Sequence, residues 1–250
     1  MEKIVARAGV LCNIPSDKTC NLVVLFSGGF DSTALLNMAV NTKKKYDNIK
    51  TVYALYVKSN LLDKGKVALE NRHVKKFISH INRDEELVKL VTFKSSFSDL
   101  EEYSYSENSY DLIFINAINS VVHMIGGADI NIVLNGSLDR DSRTYHLPYY
   151  KKMVDDFNME YRGVDIRMEF PFIQCDKPRI LDYLINNNLY QYCTCCENPS
   201  SEEFCNSCKG HLESLFGLLL AYKLYGDIEY NESNVDFVEE EINRMLGVDI

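Results

Sequence analysis

Residues 22–26, Leu-Val-Val-Leu-Phe, form an unbroken apolar run that the chain leaves abruptly through Ser27-Gly28-Gly29-Phe30-Asp31-Ser32. A short continuous apolar run suits a strand buried on both faces, which is the condition of a parallel sheet. Two adjacent glycines allow a tight turn there. Asp31 or Ser32 caps the helix that follows, and Ala34, Leu35, Leu36, Met38, Ala39 and Val40 supply its buried face. A buried strand, a glycine turn and a helix in direct succession open a βαβ unit. That narrows the fold to an α/β layer architecture.

The rest of the chain repeats the alternation. Strands are expected at 51–57, 86–93, 130–134 and 165–170. Helices are expected at 65–81, 112–124, 149–160, 177–187, 212–225 and 235–246, from apolar residues at helical spacing. Residues 94–110, rich in Ser, Tyr and acid, read as a loop. Together these predict a doubly wound parallel sheet, with residues 1–175 as the α/β domain and 176–250 as a small C-terminal helical, zinc-binding region. No run of 18 or more apolar residues exists, so no transmembrane helix is expected. Met1 to Val10 lacks a signal-peptide apolar core, which reads as a cytoplasmic protein. The formal net charge is −9. Nucleic-acid grips are usually basic, so this balance favours a small-molecule substrate.

The turn at 27–32 is built to hold an anion. Glycines present backbone N–H groups inward, and the helix N-terminus adds partial positive charge. Ser27 and Ser32 offer hydroxyl donors, and Asp31 can help hold a Mg²⁺ that bridges phosphates. The pattern lacks the second Gly-Lys of a Walker loop and is not a GxGxxG turn.

Five of the eight cysteines fall between 193 and 208. Cys193 with Cys196, and Cys205 with Cys208, make two Cys-x2-Cys pairs eight residues apart. Such pairs can wrap one tetrahedral Zn²⁺ in a closed, structural site. Cys195 and His211 are alternatives for the fourth ligand.

The Ser-Gly-Gly-x-Asp-Ser segment resembles the pyrophosphatase (PP) loop of enzymes that bind ATP and activate a substrate as its adenylate. Joined to a C-terminal cysteine cluster, it resembles the 7-cyano-7-deazaguanine synthase family of the queuosine pathway. Leu112 to Ala117, Val133-Leu134-Asn135-Gly136 with Asp139, and Pro171-Phe172-Ile173 with Lys177 and Ile180 extend the likeness over roughly 20–220. The resemblance implies an adenine nucleotide alpha hydrolase-like fold and an ATP-dependent carbon–nitrogen ligase. Its substrates would be 7-carboxy-7-deazaguanine and ammonia, and its products the nitrile, AMP and pyrophosphate. It implies ATP, Mg²⁺ and Zn²⁺ as cofactors. It places ATP on Phe26, Ser27, Gly28, Gly29, Phe30, Asp31 and Ser32, with Ser27, Asp31 and Ser32 at the reacting phosphates. The adenine belongs beside Ala54, Leu55 and Tyr56. Asn135, Gly136, Asp139, Arg140 and Arg143 are the candidate substrate contacts, an Arg being able to clamp a carboxylate bidentately.

The sequence departs from that family after the second strand, which reads Val57-Lys58-Ser59-Asn60, and in the substrate loop, Ser142-Arg143-Thr144-Tyr145-His146. Related substrates therefore stay open: an amide-stopping deazaguanine enzyme, a base- or protein-modifying homologue from phage or defence systems, or a tRNA-thiolating enzyme. A homodimer is the default assembly. The zinc reading makes a direct prediction: Cys205→Ser releases zinc in metal analysis of the purified protein and lowers its melting temperature.

Overall fold

Alternation along the first strand decides the layers. In the computed structural model, which describes residues 14–59, 64–95, 108–138, 147–160, 165–194, 209–225 and 228–247, strand β1 (Cys20–Leu25) is buried at every position. Leu22 and Val24 point into one apolar cluster, and Val23 and Leu25 into another. The period of two places these clusters on opposite faces of a sheet.

The sheet has five strands: β1, β2 (Ile49–Ser59), β3 (Val88–Ser95), β4 (Ile130–Leu134) and β5 (Asp165–Glu169), in the order β3-β2-β1-β4-β5. Every pairing is parallel. On one face lie helices α1 (Phe30–Lys43), α2 (Lys64–Ile81), α5 (Lys177–Asn186), α6 (Lys209–Leu220) and α7 (Glu232–Leu246). On the other lie α3 (Asn108–Ala117), which continues as a π-helical turn over Ile118–Val122, and α4 (Leu147–Glu160). This is the doubly wound arrangement expected from the sequence. Among the described residues no helix is long and apolar enough to cross a membrane.

Several element ends differ from the sequence reading, two of them at the stretch read as a loop. β3 runs on to Ser95 and α3 begins at Asn108, so both elements extend into the stretch read as loop. In β3 a burial pattern that alternates toward its end, rather than a continuous apolar run, carries the strand outward. α1 is buried almost all round because the sheet covers one side and α5 another, which explains its lack of a polar stripe.

One polar contact sits inside the core. Asn21 and Asn131 are register partners on β1 and β4, and both are fully buried. Asn21 Nδ2 donates to Asn131 Oδ1 at 2.9 Å, and Asn131 Nδ2 donates to the carbonyls of Val122 and Ile125 at 3.0 and 2.9 Å. The pair thus ties the turn after α3 to the middle of the sheet. Buried polar groups are tolerated when paired and destabilise when a partner is removed. Asn131→Ala removes the amide donor of both carbonyls and the 2.9 Å acceptor of the Asn21 amide, and is expected to lower the unfolding free energy by on the order of 3 kcal/mol in urea denaturation.

Candidate active site at the carboxyl edge of the sheet

β1 lies between β2 and β4, and the chain turns to opposite sides of it: outward through β2 and β3, then back across to β4 and β5. Loops that leave the carboxyl ends of β1 and β4 therefore diverge around one crevice, the usual ligand position in open α/β sheets. The loop after β1 is residues 26–29, and the loop after β4 starts at Asn135.

The first loop is held from several directions. Phe26 N donates to Leu55 O at 2.9 Å, the last sheet bond before the turn. Gly28 has φ 80°, the left-handed region that favours glycine. A Cβ there would stand 3.3 Å from His73 Cβ and 3.4 Å from Val74 N, so α2 presses directly on the loop. Gly28 O accepts from Thr194 N at 2.8 Å. Ser32 Oγ lies 3.3 Å from Ser27 Oγ, accepts from Ser27 N at 3.3 Å and donates to Gly29 O at 3.2 Å. Gly29 caps α1 without a side-chain hydrogen bond, so no capping side chain covers the first-turn amides. A phosphate fits such a helix start.

Asp31 faces Lys177, the first residue of α5, whose ammonium donates to both carboxylate oxygens at 2.8 and 2.6 Å. Asp176 caps α5 by accepting from Arg179 N, which fixes where Lys177 begins. Lys66 and Glu70, one turn apart on α2, line the opposite wall. The resulting cleft has a volume of about 310 Å³, and Ser27, Gly29, Phe30, Thr194, His211 and Ser214 complete much of its surface. Two lysines, serine hydroxyls and a helix N-terminus suit a polyphosphate. A carboxylate held by a lysine among them suits a divalent cation in exchange for that lysine.

Glu70, Tyr56, His73 and His211, in or beside this cleft, are perturbed. Burial pushes the Glu70 carboxyl up to about 7, against the pull of the Lys66 ammonium and of the Tyr56 hydroxyl that hydrogen-bonds it. Tyr56 is itself raised by burial and by the charge of Glu70, and its hydroxyl also approaches Val67 O at 3.3 Å. Burial lowers His73, although its Nδ1 lies 3.0 Å from the Tyr192 carbonyl. Burial also pushes His211 down to about 4, which keeps its imidazole neutral. Its Nε2 lies 2.6 Å from the Tyr190 hydroxyl.

The other residues singled out in the sequence fall as follows. Ala54 and Leu55 are buried on opposite faces of β2, their side chains away from the cleft, and Tyr56 reaches it through Glu70. Asn135 Oδ1 accepts from both the backbone and the hydroxyl of Ser137, at 3.0 and 2.8 Å, which folds the start of the second loop. A Cβ on Gly136 would meet the Asp31 backbone and Cβ at 3.4 Å, so the two loops touch at the residue expected to hold metal. Cys193 is buried beneath the site. Its thiol donates to Leu189 O and is pushed up to about 12 by burial, with the Thr33 hydroxyl beside it. Asp139, Arg140, Arg143, Cys195, Cys196, Cys205 and Cys208 lie outside the described residues. Among the described residues no group of three or more His, Cys, Asp or Glu side chains could hold a metal. Lys66, Glu70, Thr194 and a cleft-lining His211 are site residues that the sequence reading does not reach, and it assigns Lys177 no role.

The family description "Queuosine biosynthesis protein QueC" matches residues 21–215 of the chain. The chain belongs to the QueC family. QueC membership makes it a PP-loop, ATP-using enzyme of the queuosine pathway type. No curated protein matches the sequence. Among solved structures, the U34-tRNA thiolase NcsA from Methanococcus maripaludis with its [4Fe-4S] cluster is similar at 13% identity and a TM-score of 0.53. The match covers 98% of this chain and 76% of that one. An NMN synthetase from Francisella tularensis follows at 12% identity and a TM-score of 0.43, covering 92% and 87%. The thiolase shares the fold of this QueC-family chain.

Glu70 supplies a stability test of the site. Its folded value of about 7 lies above the ordinary 4.5, so the folded state holds the proton more tightly than the unfolded state. That contribution is fully present below about pH 4.5 and is lost as pH rises toward 7. Glu70→Gln is therefore expected to be more stable than the native chain at pH 8, by at most ~3 kcal/mol. The gap should close toward pH 4.5 when chemical denaturation is followed across that range.

Proposed function

We propose that this chain converts 7-carboxy-7-deazaguanine and ammonia to 7-cyano-7-deazaguanine, using ATP and releasing AMP and pyrophosphate. The observation that carries the reading is the QueC family match over the segment that folds into the phosphate cleft. The substrate carboxylate attacks the α-phosphorus, the bond to pyrophosphate breaks, and an acyl adenylate forms. Ammonia displaces AMP to give the amide. The amide oxygen attacks a second ATP, and loss of AMP leaves the nitrile.

In this reading Ser27, Ser32 and the first-turn amides of α1 bind the departing pyrophosphate, with Phe26, Gly28, Gly29 and Phe30 shaping their loop. Lys66 and Lys177 neutralise its charge across the cleft, an electrostatic contribution that is largest where water is excluded. Asp31 would hold Mg²⁺, which supplies charge neutralisation at the phosphates, and Lys177 then turns from Asp31 to phosphate. The adenine is assigned to β2 at Ala54, Leu55 and Tyr56, of which Tyr56 approaches the cleft through Glu70. Asn135 and Gly136 lead into the substrate loop, where Asp139, Arg140 and Arg143 meet the deazaguanine and its carboxylate.

For zinc, this reading takes Cys195 with Cys196, Cys205 and Cys208, since the Cys193 thiol is buried and donates to Leu189 O. A tRNA-thiolating reaction is disfavoured by the net charge of −9, because a grip on RNA is usually basic.

The deciding experiment incubates the protein with ATP, Mg²⁺, 7-carboxy-7-deazaguanine and ammonium. Pyrophosphate is then measured and the base product identified by mass. Pyrophosphate and nitrile are expected; amide alone would make this an amide-stopping enzyme, and no substrate-dependent pyrophosphate would reject the reading. Asp31→Ala is expected to lower turnover by about 100-fold or more with folding retained.

A further inference from the structure

Both nitrogen steps of the proposed reaction shed protons, and the cleft must supply a group to take them. When ammonia attacks the acyl adenylate, a C–N bond forms and the C–O bond to phosphate breaks. The electron pair leaves with AMP, and one proton must leave the nitrogen. When the activated amide becomes a nitrile, the second C–O bond breaks and two more protons leave that nitrogen. A base that accepts them contributes rate only if it reaches the cleft and stays basic there.

The described lining offers few choices. Lys66 and Lys177 are cations. Asp31 is bound through both oxygens to Lys177 and, in the proposed reading, to Mg²⁺. His211 is a weak base because burial keeps it neutral down to about 4, and its Nε2 is engaged with Tyr190. Glu70 remains. It lines the same cleft from α2 and is 9% exposed, held by the Tyr56 hydroxyl from β2. Lys66 lies one turn before it and His73 one turn after. Two carboxylates in one cleft, one locked to a lysine and one buried beside a phenol, have environments that assign different tasks.

We propose that Glu70 is the proton acceptor for the ammonia-derived nitrogen, taking one proton as the amide forms and the later protons in turn as the nitrile forms. The carboxylate returns each proton to cleft water between steps. A carboxyl that burial holds near 7 is poised for this, strong enough as a base to accept and weak enough to release. This inference rests on the proposed deazaguanine reaction, and its test separates the two.

Adenylation needs no ammonia. It can be followed alone as pyrophosphate–ATP exchange that depends on 7-carboxy-7-deazaguanine. In the native chain that exchange must appear; its absence removes the proposed reaction and this inference with it. In Glu70→Gln, exchange is expected to stay within about threefold while ammonia-dependent product formation falls by about 100-fold or more. Hydroxylamine, whose nitrogen is neutral at pH 7 and sheds its proton more readily, should restore capture of the adenylate. The native rate at constant free ammonia should rise with pH between about 6 and 8, and that limb should vanish in Glu70→Gln. Glu70→Asp, which keeps a carboxylate, should recover part of the ammonia rate. Equal losses of exchange and product formation, an undiminished ammonia rate in Glu70→Gln, or failure of hydroxylamine to rescue would each overturn the assignment.

Discussion

A strand with parallel neighbours on both sides and apolar clusters on both faces has one way out, through its carboxyl end. β1 is such a strand, and the functional geometry follows from its exit. Because β2 and β4 flank it, the loops after β1 and β4 are neighbours although more than 100 residues separate them in sequence. α1 must start immediately, since Gly28 and Gly29 allow the chain no slack. Its N-terminus therefore opens on the crevice between the two loops. The same burial that makes β1 immovable fixes the position of Ser27 and Asp31 to within the stiffness of the sheet.

Three elements then converge on that fixed point from other parts of the chain. α5 brings Lys177 to Asp31, α2 brings Lys66 and Glu70, and the turn at 190–194 brings Thr194 to Gly28. Each arrives by packing on the α1 face of the sheet, so the charges of the cleft rest on an apolar cluster. The arrangement carries electrostatic tension: an acid kept partly un-ionised by burial, a histidine kept neutral, and two lysines on the wall of a cleft that a polyanion suits. Sites that bind charged ligands commonly hold such groups away from their ordinary titration behaviour.

Much of this was legible in the sequence because its signals are local. The strand, glycine turn and helix at 22–40 are contiguous, and period-two and helical spacing recovered the sheet strands and the helices packed on it. What escaped reading depends on long-range packing. Lys66 and Glu70 have the spacing of an ordinary surface pair one turn apart, and nothing local says that α2 leans on Gly28 and buries the acid. Lys177 meets Asp31 across 146 residues. Asn21 and Asn131 interrupt apolar strands and become intelligible only as register partners. Cys193 fits a metal-ligand spacing, but spacing does not encode direction, and its thiol faces Leu189 in the core. The start of α3 inside a Ser- and Tyr-rich stretch likewise depends on the sheet face that receives Ile113 and Ile115.

Gly136 gives the cleft a mechanical property. A Cβ there would lie 3.4 Å from the backbone and Cβ of Asp31, ordinary van der Waals contact, so the loops after β1 and β4 stand one small side chain apart at that point. A side chain longer than a methyl group at 136 would have to find room against Asp31. Position 136 therefore sets how near the loop after β4 can come to the carboxylate that Lys177 holds.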